Sequence, residues 1–156
     1  MNSSAQHLTA HNGTELSFEF FPPKTSTGDT KLAATWTQLA ELRPQFFSVT
    51  YGAGGSTQAG TLGTVRAIQA AGHQAAPHLS CVGATRRDIE TTIELYRKSG
   101  IRHIVALRGD LPSGMAAAGE LAHASDLVAL IRKETGRHFR VDVACYPECH
   151  PQAKSA

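Results

Sequence analysis

The sequence predicts an α/β fold built on a parallel sheet, and three observations predict it. Five short apolar runs, rich in β-branched and aromatic residues, each stop at Gly or Pro. Amphipathic segments with helical spacing fill the gaps between them. Polar residues recur where the runs end, at Glu19, Thr50, His78, Arg108 with Asp110, and Tyr146, at intervals of 31, 28, 30 and 38 residues. Strands alternating with helices are the signature of a parallel sheet with crossover helices.

The elements follow in order. "ELSFEFFPP" (15–23) is an aromatic strand stopped by two prolines. Leu32, Trp36, Leu39 and Leu42 then lie on one helical stripe. "QFFSVTYGAGG" (45–55) is a second strand ending in glycines, and Val65, Ile68 and Ala71 mark a helix before Gly72. "QAAPHLSCVG" (74–83) is the weakest strand, because its proline loses a ladder bond and favours a strand start or edge. Thr85 and Asp88 are spaced as a capping box with Asp in place of Glu. Ile89, Ile93 and Tyr96 share the face of the helix that follows, and Gly100 stops it. "HIVALRG" (103–109) is the fourth strand. Ser125 or a neighbour opens a last helix carrying Leu127, Leu130 and Ile131 and ending at Gly136; "RVDVACYP" (140–147) is the fifth strand.

An open dinucleotide-binding sheet would want G-x-G-x-x-G after its first strand. Here that strand ends "FFPPKTS", which offers no bare backbone amides to a pyrophosphate. A (β/α)₈ barrel, the TIM barrel, fits better, although a full one has eight strands in about 250 residues. The expectation is therefore about the first five βα units of a barrel. Residues 14–156 would form this partial barrel, and residues 1–13, which are polar, a flexible tail. Ligands bind at the C-terminal ends of the strands in such folds, where the recurring polar residues fall.

Composition bounds the function. The chain has 156 residues, 41% hydrophobic and 18% charged, as a soluble globular domain does. Lys+Arg 15 against Asp+Glu 13 is too even a balance to argue for nucleic acid or a membrane surface as partner. No apolar stretch approaches the roughly 18–20 residues that span a bilayer. "MNSSAQHLTAHNGTE" has neither a basic start nor an apolar h-region. Three cysteines, Cys81, Cys145 and Cys149, suit buried reduced thiols in a cytoplasmic protein.

Several residues could carry chemistry. Glu19, within "SFEFF", is expected to be desolvated, which would favour its protonated form and let it act as a proton donor. By alternation it shares a face with Ser17 and Phe21, opposite Phe18 and Phe20. "VTYGAGGST" joins strand to helix through three glycines that can bring amides near a ligand. His78 with Cys81, and Cys145 with Cys149 and His150, lack the paired spacing of cysteine zinc sites, so no metal is expected. The Arg-Gly-Asp tripeptide follows a core strand directly, unlike an adhesion motif on a displayed loop.

Taken together, "LSFEFFPPKT", "FFSVTYGAGGST", "APHLSC", "GIRHIVALRGDLP" and "VACYPECHPQAKSA" resemble the methylenetetrahydrofolate reductase family of the bacterial type, collinearly from about residue 15 to the last residue. The resemblance implies a (β/α)₈ barrel with FAD held non-covalently at the strand ends. It implies reduction of 5,10-methylenetetrahydrofolate to 5-methyltetrahydrofolate with NADH or NADPH as donor, a step in one-carbon metabolism and methionine biosynthesis. Glu19 matches the family's general acid toward the folate. Thr50 matches a residue near the nicotinamide, and Tyr51, Ala53 and His78 match FAD contacts. Arg108, Gly109 and Asp110 match the FAD-binding end of the fourth strand, with Asp110 also near the folate pterin. Tyr146, His150 and Ala153 match further FAD contacts. Ala124, with His123, follows a loop that varies in length across the family.

The chemistry implied by the resemblance is coherent. Hydride transfer needs a flavin, since no side chain carries two electrons and a proton reversibly. The folate's one-carbon unit is a cyclic aminal, a poor acceptor until one nitrogen is protonated and the ring opens to an iminium. A protonated Glu19 suits that task. Arg108 offers a cationic fork for cofactor phosphate or for Asp110, and Asp110 would disfavour an anionic reduced flavin. One pocket serving both substrates in turn implies ping-pong kinetics. The partners expected are the folate and the nicotinamide donor, in a homo-oligomer.

The family's strands 6–8, with more FAD contacts and a glutamine-type folate ligand, lie beyond "CHPQAKSA", so a fragment of a longer chain is the expected explanation. The alternatives are a non-catalytic half-barrel that binds cofactor or assembles with a partner, and a metal-dependent hydrolase using His78, Asp110 and His150.

Overall fold

The structure, a computed structural model, describes residues 15–51, 58–110 and 119–149. These form β1 (Ser17–Phe20), α1 (Ser26–Ala40), β2 (Phe46–Val49), α2 (Gln58–Ala70), β3 (Ala75–Ser80), α3 (Arg86–Lys98), β4 (His103–Leu107), α4 (Ala124–Thr135) and β5 (Arg140–Val143). The five strands form one sheet in the order β1-β2-β3-β4-β5, and each neighbouring pair is parallel. Strand order follows chain order without reversal. That is the winding of a barrel, not of a doubly wound open sheet, which reverses at a switch point.

Local chemistry sets the element ends. Pro22 and Pro23 close β1, and Thr25 caps α1 by accepting a hydrogen bond from the Gly28 amide at 3.1 Å. Thr85 and Asp88 form the expected capping box, the Thr85 hydroxyl accepting from the Asp88 amide and the Asp88 carboxylate from the Thr85 amide. Hydrogen bonds from the Thr85 hydroxyl and then the Thr85 amide hold the Asp88 carboxyl below its ordinary range. Gly100 follows α3 at φ +75°, where a side chain would be strained. Helix α4 opens one residue before Ser125, at Ala124, with Asp126 accepting from the Ala122 and His123 amides at 3.1 and 2.9 Å. Thr85→Ala is expected to lower stability by about 1 kcal/mol, read as a fall in Tm with unchanged far-UV circular dichroism.

Two helix stripes run past the helix ends in the sequence reading. Leu42 lies past the end of α1 and is 40% exposed, and Ala71 lies past α2. The strand reading of 74–83 needs a larger correction. Its strand, β3, is neither short nor at an edge but the central one, with Pro77 inside it. The register shows how this is tolerated. Pairing with β2 runs through Ala75, Ala76 and Pro77, and pairing with β4 through His78, Leu79 and Ser80. The proline stands where one ladder hands over to the other.

Alternation divides the strand side chains into two sets. Phe20, Phe47, Val49, Ala75, Leu79, Cys81, Ile104 and Ala106 join Trp36, Val65, Ile68, Ile93, Tyr96, Leu127 and Ile131 from the helices in one buried core. The other set includes Ser17, Glu19, Phe46, Ser48, Ala76, His78, His103, Val105, Arg140 and Asp142 and lies on the face opposite the helices. The helix layer thus holds the apolar side of the sheet and leaves its polar side for a site. No helix of the described residues is long and apolar enough to cross a membrane.

Candidate active site

The C-terminal ends of parallel strands share one edge, and most of the polar residues singled out above stand there. Glu19 is the third residue of β1, and His78 the fourth of β3. Thr50 and Arg108 directly follow β2 and β4, and Tyr146 lies just beyond β5. Tyr51 follows Thr50 and is partly buried; its phenol is pushed up by burial and by the Asp88 carboxylate. Ala124 is the first residue of α4. Asp110 and Tyr146 are exposed. Ala53, His150, Ala153 and the tail at residues 1–13 lie outside the described residues.

Glu19 meets His78. Their Oε2 and Nε2 atoms are 3.2 Å apart, with the carboxylate side chain 54% exposed and the imidazole 8%. Glu19 is therefore not enclosed by phenylalanines, as its sequence context suggested. Alternation puts it on the open face and turns Phe18 and Phe20 to the other, where both stack on Phe47. Although close enough, the His78 ring nitrogen is not aligned for a hydrogen bond to the carboxylate, and it counts as buried without a partner. The contact is thus electrostatic. Burial lowers the His78 pKa and the Glu19 charge partly opposes this, so the ring is neutral at pH 7.

Thr50 supplies a second orphan. Its amide donates to the Phe20 carbonyl at 2.9 Å, and its carbonyl accepts from the Thr61 hydroxyl at 2.9 Å. Its own hydroxyl is buried and unpartnered. A buried polar atom without a partner is costly, of order 1–3 kcal/mol, and such atoms call for an explanation.

Arg108 and Gly109 are tied to the end of β3. The Arg108 carbonyl accepts from the Val82 amide at 2.7 Å and the Ser80 hydroxyl at 2.9 Å. The Arg108 Nε donates to the Gly109 carbonyl at 3.1 Å, which turns that edge of the guanidinium along its own loop. Gly109 adopts φ +84°, and a Cβ there would run into Ser80 Oγ and stand 2.7 Å from Val82 Cγ1. Glycine is required on both counts. Cys81 is buried beneath this turn, its Sγ 3.7 Å from the Arg108 and His123 carbonyls, and burial pushes its thiol up. Cys145 and Cys149 are exposed, contrary to the expectation of buried thiols.

Sequence reasoning missed a second polar cluster, at the N-terminal ends of the strands. His103 Nε2 lies 2.8 Å from Asp142 Oδ2, Arg140 Nε donates to Asp142 Oδ1 at 3.1 Å, and Phe46 packs edge-on against His103 and under Arg140. The alternating charges of "RVDV" were the available signal, but their partner is 39 residues away. Burial lowers the His103 pKa against the raising effect of Asp142; on Asp142 the bonds from His103 and Arg140 outweigh burial and hold the carboxyl low.

Both buried histidines are thus depressed in the folded state, so the unfolded chain binds more protons over the range where free histidine titrates. Their stabilising contribution is full above about pH 6.5 and is lost as pH falls from there through their folded values. Tm is expected to be lower at pH 5.5 than at pH 7.5, measured by calorimetry; a higher Tm at pH 5.5 would contradict neutral burial of these rings.

A recess of about 510 Å³ lies between α1 and α2, lined by Lys24, Asp29, Trp36, Gly63 and Thr64 among others. It belongs to the helix layer, and none of the candidate residues lines it.

Comparison with known proteins places this geometry. The family model described as methylenetetrahydrofolate reductase matches residues 4–156. The chain is 46% identical over 142 residues to the 5,10-methylenetetrahydrofolate reductases of Salmonella typhimurium and Escherichia coli, covering 90% of this chain and 47% of each relative. It is 38% identical over 154 residues to methylenetetrahydrofolate reductase (NADH) 1 of Arabidopsis thaliana, covering 96% of this chain and 26% of that protein. The chain spans about half the length of these bacterial relatives. With a family match along nearly its whole length, a parallel sheet wound as a barrel begins, and polar residues gathered at its C-terminal edge, this chain belongs to the methylenetetrahydrofolate reductase family.

Proposed function

We propose that the C-terminal edge of β1–β5 holds FAD and the folate, and that the protein reduces 5,10-methylenetetrahydrofolate to 5-methyltetrahydrofolate with NADH or NADPH, in ping-pong fashion. One observation carries the reading. On the open face of the sheet, the Glu19 carboxylate stands against a neutral, buried His78, with the unpartnered Thr50 hydroxyl at the same edge.

The residues present fit a flavin. Thr50 Oγ1 is a buried polar atom without a partner, as expected of an atom that meets a polar ring system when it is bound, and the His78 ring stands at the same edge. The closely packed Gly109 turn brings backbone to the same edge. Thr50, His78, Arg108 and Gly109 would hold the cofactor, joined by Tyr51, Ala124 and Tyr146 and, outside the described residues, by Ala53, His150 and Ala153. FAD would supply the two-electron chemistry that side chains cannot. Glu19, half exposed on the open face, would give its proton to a folate nitrogen, breaking the aminal C–N bond and leaving an iminium as hydride acceptor. Arg108 brings a cationic fork suited to phosphate, and Asp110 an exposed carboxylate suited to the pterin's N–H donors.

The test is spectroscopic. Purified protein should carry a flavin absorbance that NADH or NADPH bleaches without oxygen and that 5,10-methylenetetrahydrofolate restores. Flavin that binds but is never reoxidised by the folate would support a cofactor-binding module instead. Protein that takes up no flavin would refute the reading for this chain.

A further inference from the structure

The contact between Glu19 and His78 asks for a role beyond cofactor contact. A ring nitrogen shut off from water, at 3.2 Å from a carboxylate oxygen yet aligned with no partner, is placed as if to steer that carboxylate. We propose that His78 is the positioning residue of Glu19: its neutral imidazole takes one carboxyl oxygen through Nε2–H and leaves the other facing the folate. The proposal rests on the reading of Glu19 as the acid and deepens it.

The surroundings of His78 favour this. From β1 it faces Glu19, and from β4 its partner in register is the apolar Val105. On the helix side, the Tyr96 hydroxyl of α3 donates to the His78 carbonyl at 3.4 Å, and burial pushes that phenol far up, so it stays neutral. Glu19 is the charged neighbour that acts on the ring. A protonated imidazole so close would place a full positive charge beside the carboxylate and favour its ionised form. A neutral one orients the acid without that charge. When Glu19 passes its proton to the folate nitrogen, the carboxylate left behind accepts from His78 Nε2–H. No proton leaves the imidazole, and solvent on the open side returns one to Glu19.

Two measurements test the proposal. In a ¹⁵N-histidine NMR titration of the purified protein, His78 should be a neutral ring protonated on Nε2 at pH 7. In Glu19→Gln its apparent pKa should fall, because the carboxylate that supports the imidazolium is gone. An Nδ1–H tautomer, or a titration unchanged by Glu19→Gln, would overturn the pairing whether or not the protein binds flavin. In flavin-loaded protein, His78→Ala should slow reoxidation by the folate about tenfold or more beyond whatever slowing it causes in reduction by the nicotinamide donor. His78→Gln, which keeps an N–H, should recover part of the loss. In a Glu19→Gln background, His78→Ala should add less than about twofold, since the two act as one unit. Equal slowing of both half-reactions, or full additivity with Glu19→Gln, would overturn the positioning role. If Glu19→Gln alone spares folate reduction, the acid assignment falls, and the NMR titration still decides the pairing.

Discussion

Glu19→Gln is expected to leave reduction of bound flavin by NADH or NADPH within about twofold of wild type while slowing folate reduction by roughly 10²–10⁴-fold, the usual range for loss of a general acid. The substitution preserves shape and removes the transferable proton. Glu19 is more than half exposed on the open face, so the change disturbs no core packing. The two half-reactions differ in what they ask of it. Hydride arriving from a nicotinamide needs no proton at the folate nitrogens, whereas opening the aminal does. Stopped-flow absorbance separates the steps, and equal slowing of both would refute the assignment.

Gly109→Ala should be the most damaging small substitution at the site. At φ +84° an alanine is strained, and its methyl would overlap Ser80 Oγ and press on Val82 Cγ1. Ser80 cannot turn aside without giving up its bond to the Arg108 carbonyl, which helps hold the strand ends together. Left-handed strain and overpacking together should cost about 2–4 kcal/mol, a fall in Tm of roughly 5–15 °C for a chain of this size. Flavin content should fall with it. Adding Ser80→Ala should restore part of the loss by removing the nearest atom, but not all, because Val82 remains 2.7 Å from the new methyl. A Tm within about 1 °C of wild type would mean that the turn relaxes freely.

Much of the fold was legible because each element carried its own local signal. Gly and Pro punctuation marked all five strands, and Thr85 with Asp88 announced the cap of α3. Pro77 misled for a reason no local rule contains: its place in the centre of the sheet depends on β3 exchanging one neighbour for another at that residue. Leu42 and Ala71 extend an apolar spacing past the point where the helix ends, which periodicity cannot see.

The site divides in the same way. That the polar residues fall at one edge followed from strand order alone. That Glu19 faces His78 did not, because β2 lies between their strands and the register sets Glu19 level with Ser48 and Ala76, so the two side chains meet on a diagonal across the open face. The sequence context of Glu19 suggested enclosure by aromatics, yet a strand sends neighbouring side chains to opposite faces. The His103–Asp142–Arg140–Phe46 cluster, drawn from three strands, carries no spacing signal.

A crystal structure of the protein with FAD tests the assignment of the site most directly. The expected result is the isoalloxazine on the open face of the sheet, within hydrogen-bond distance of Thr50 Oγ1, beside the His78 ring and against the Gly109 turn, with one Glu19 carboxyl oxygen left to reach a folate. Flavin seated in the recess between α1 and α2, or at the His103–Asp142 end of the strands, would contradict it.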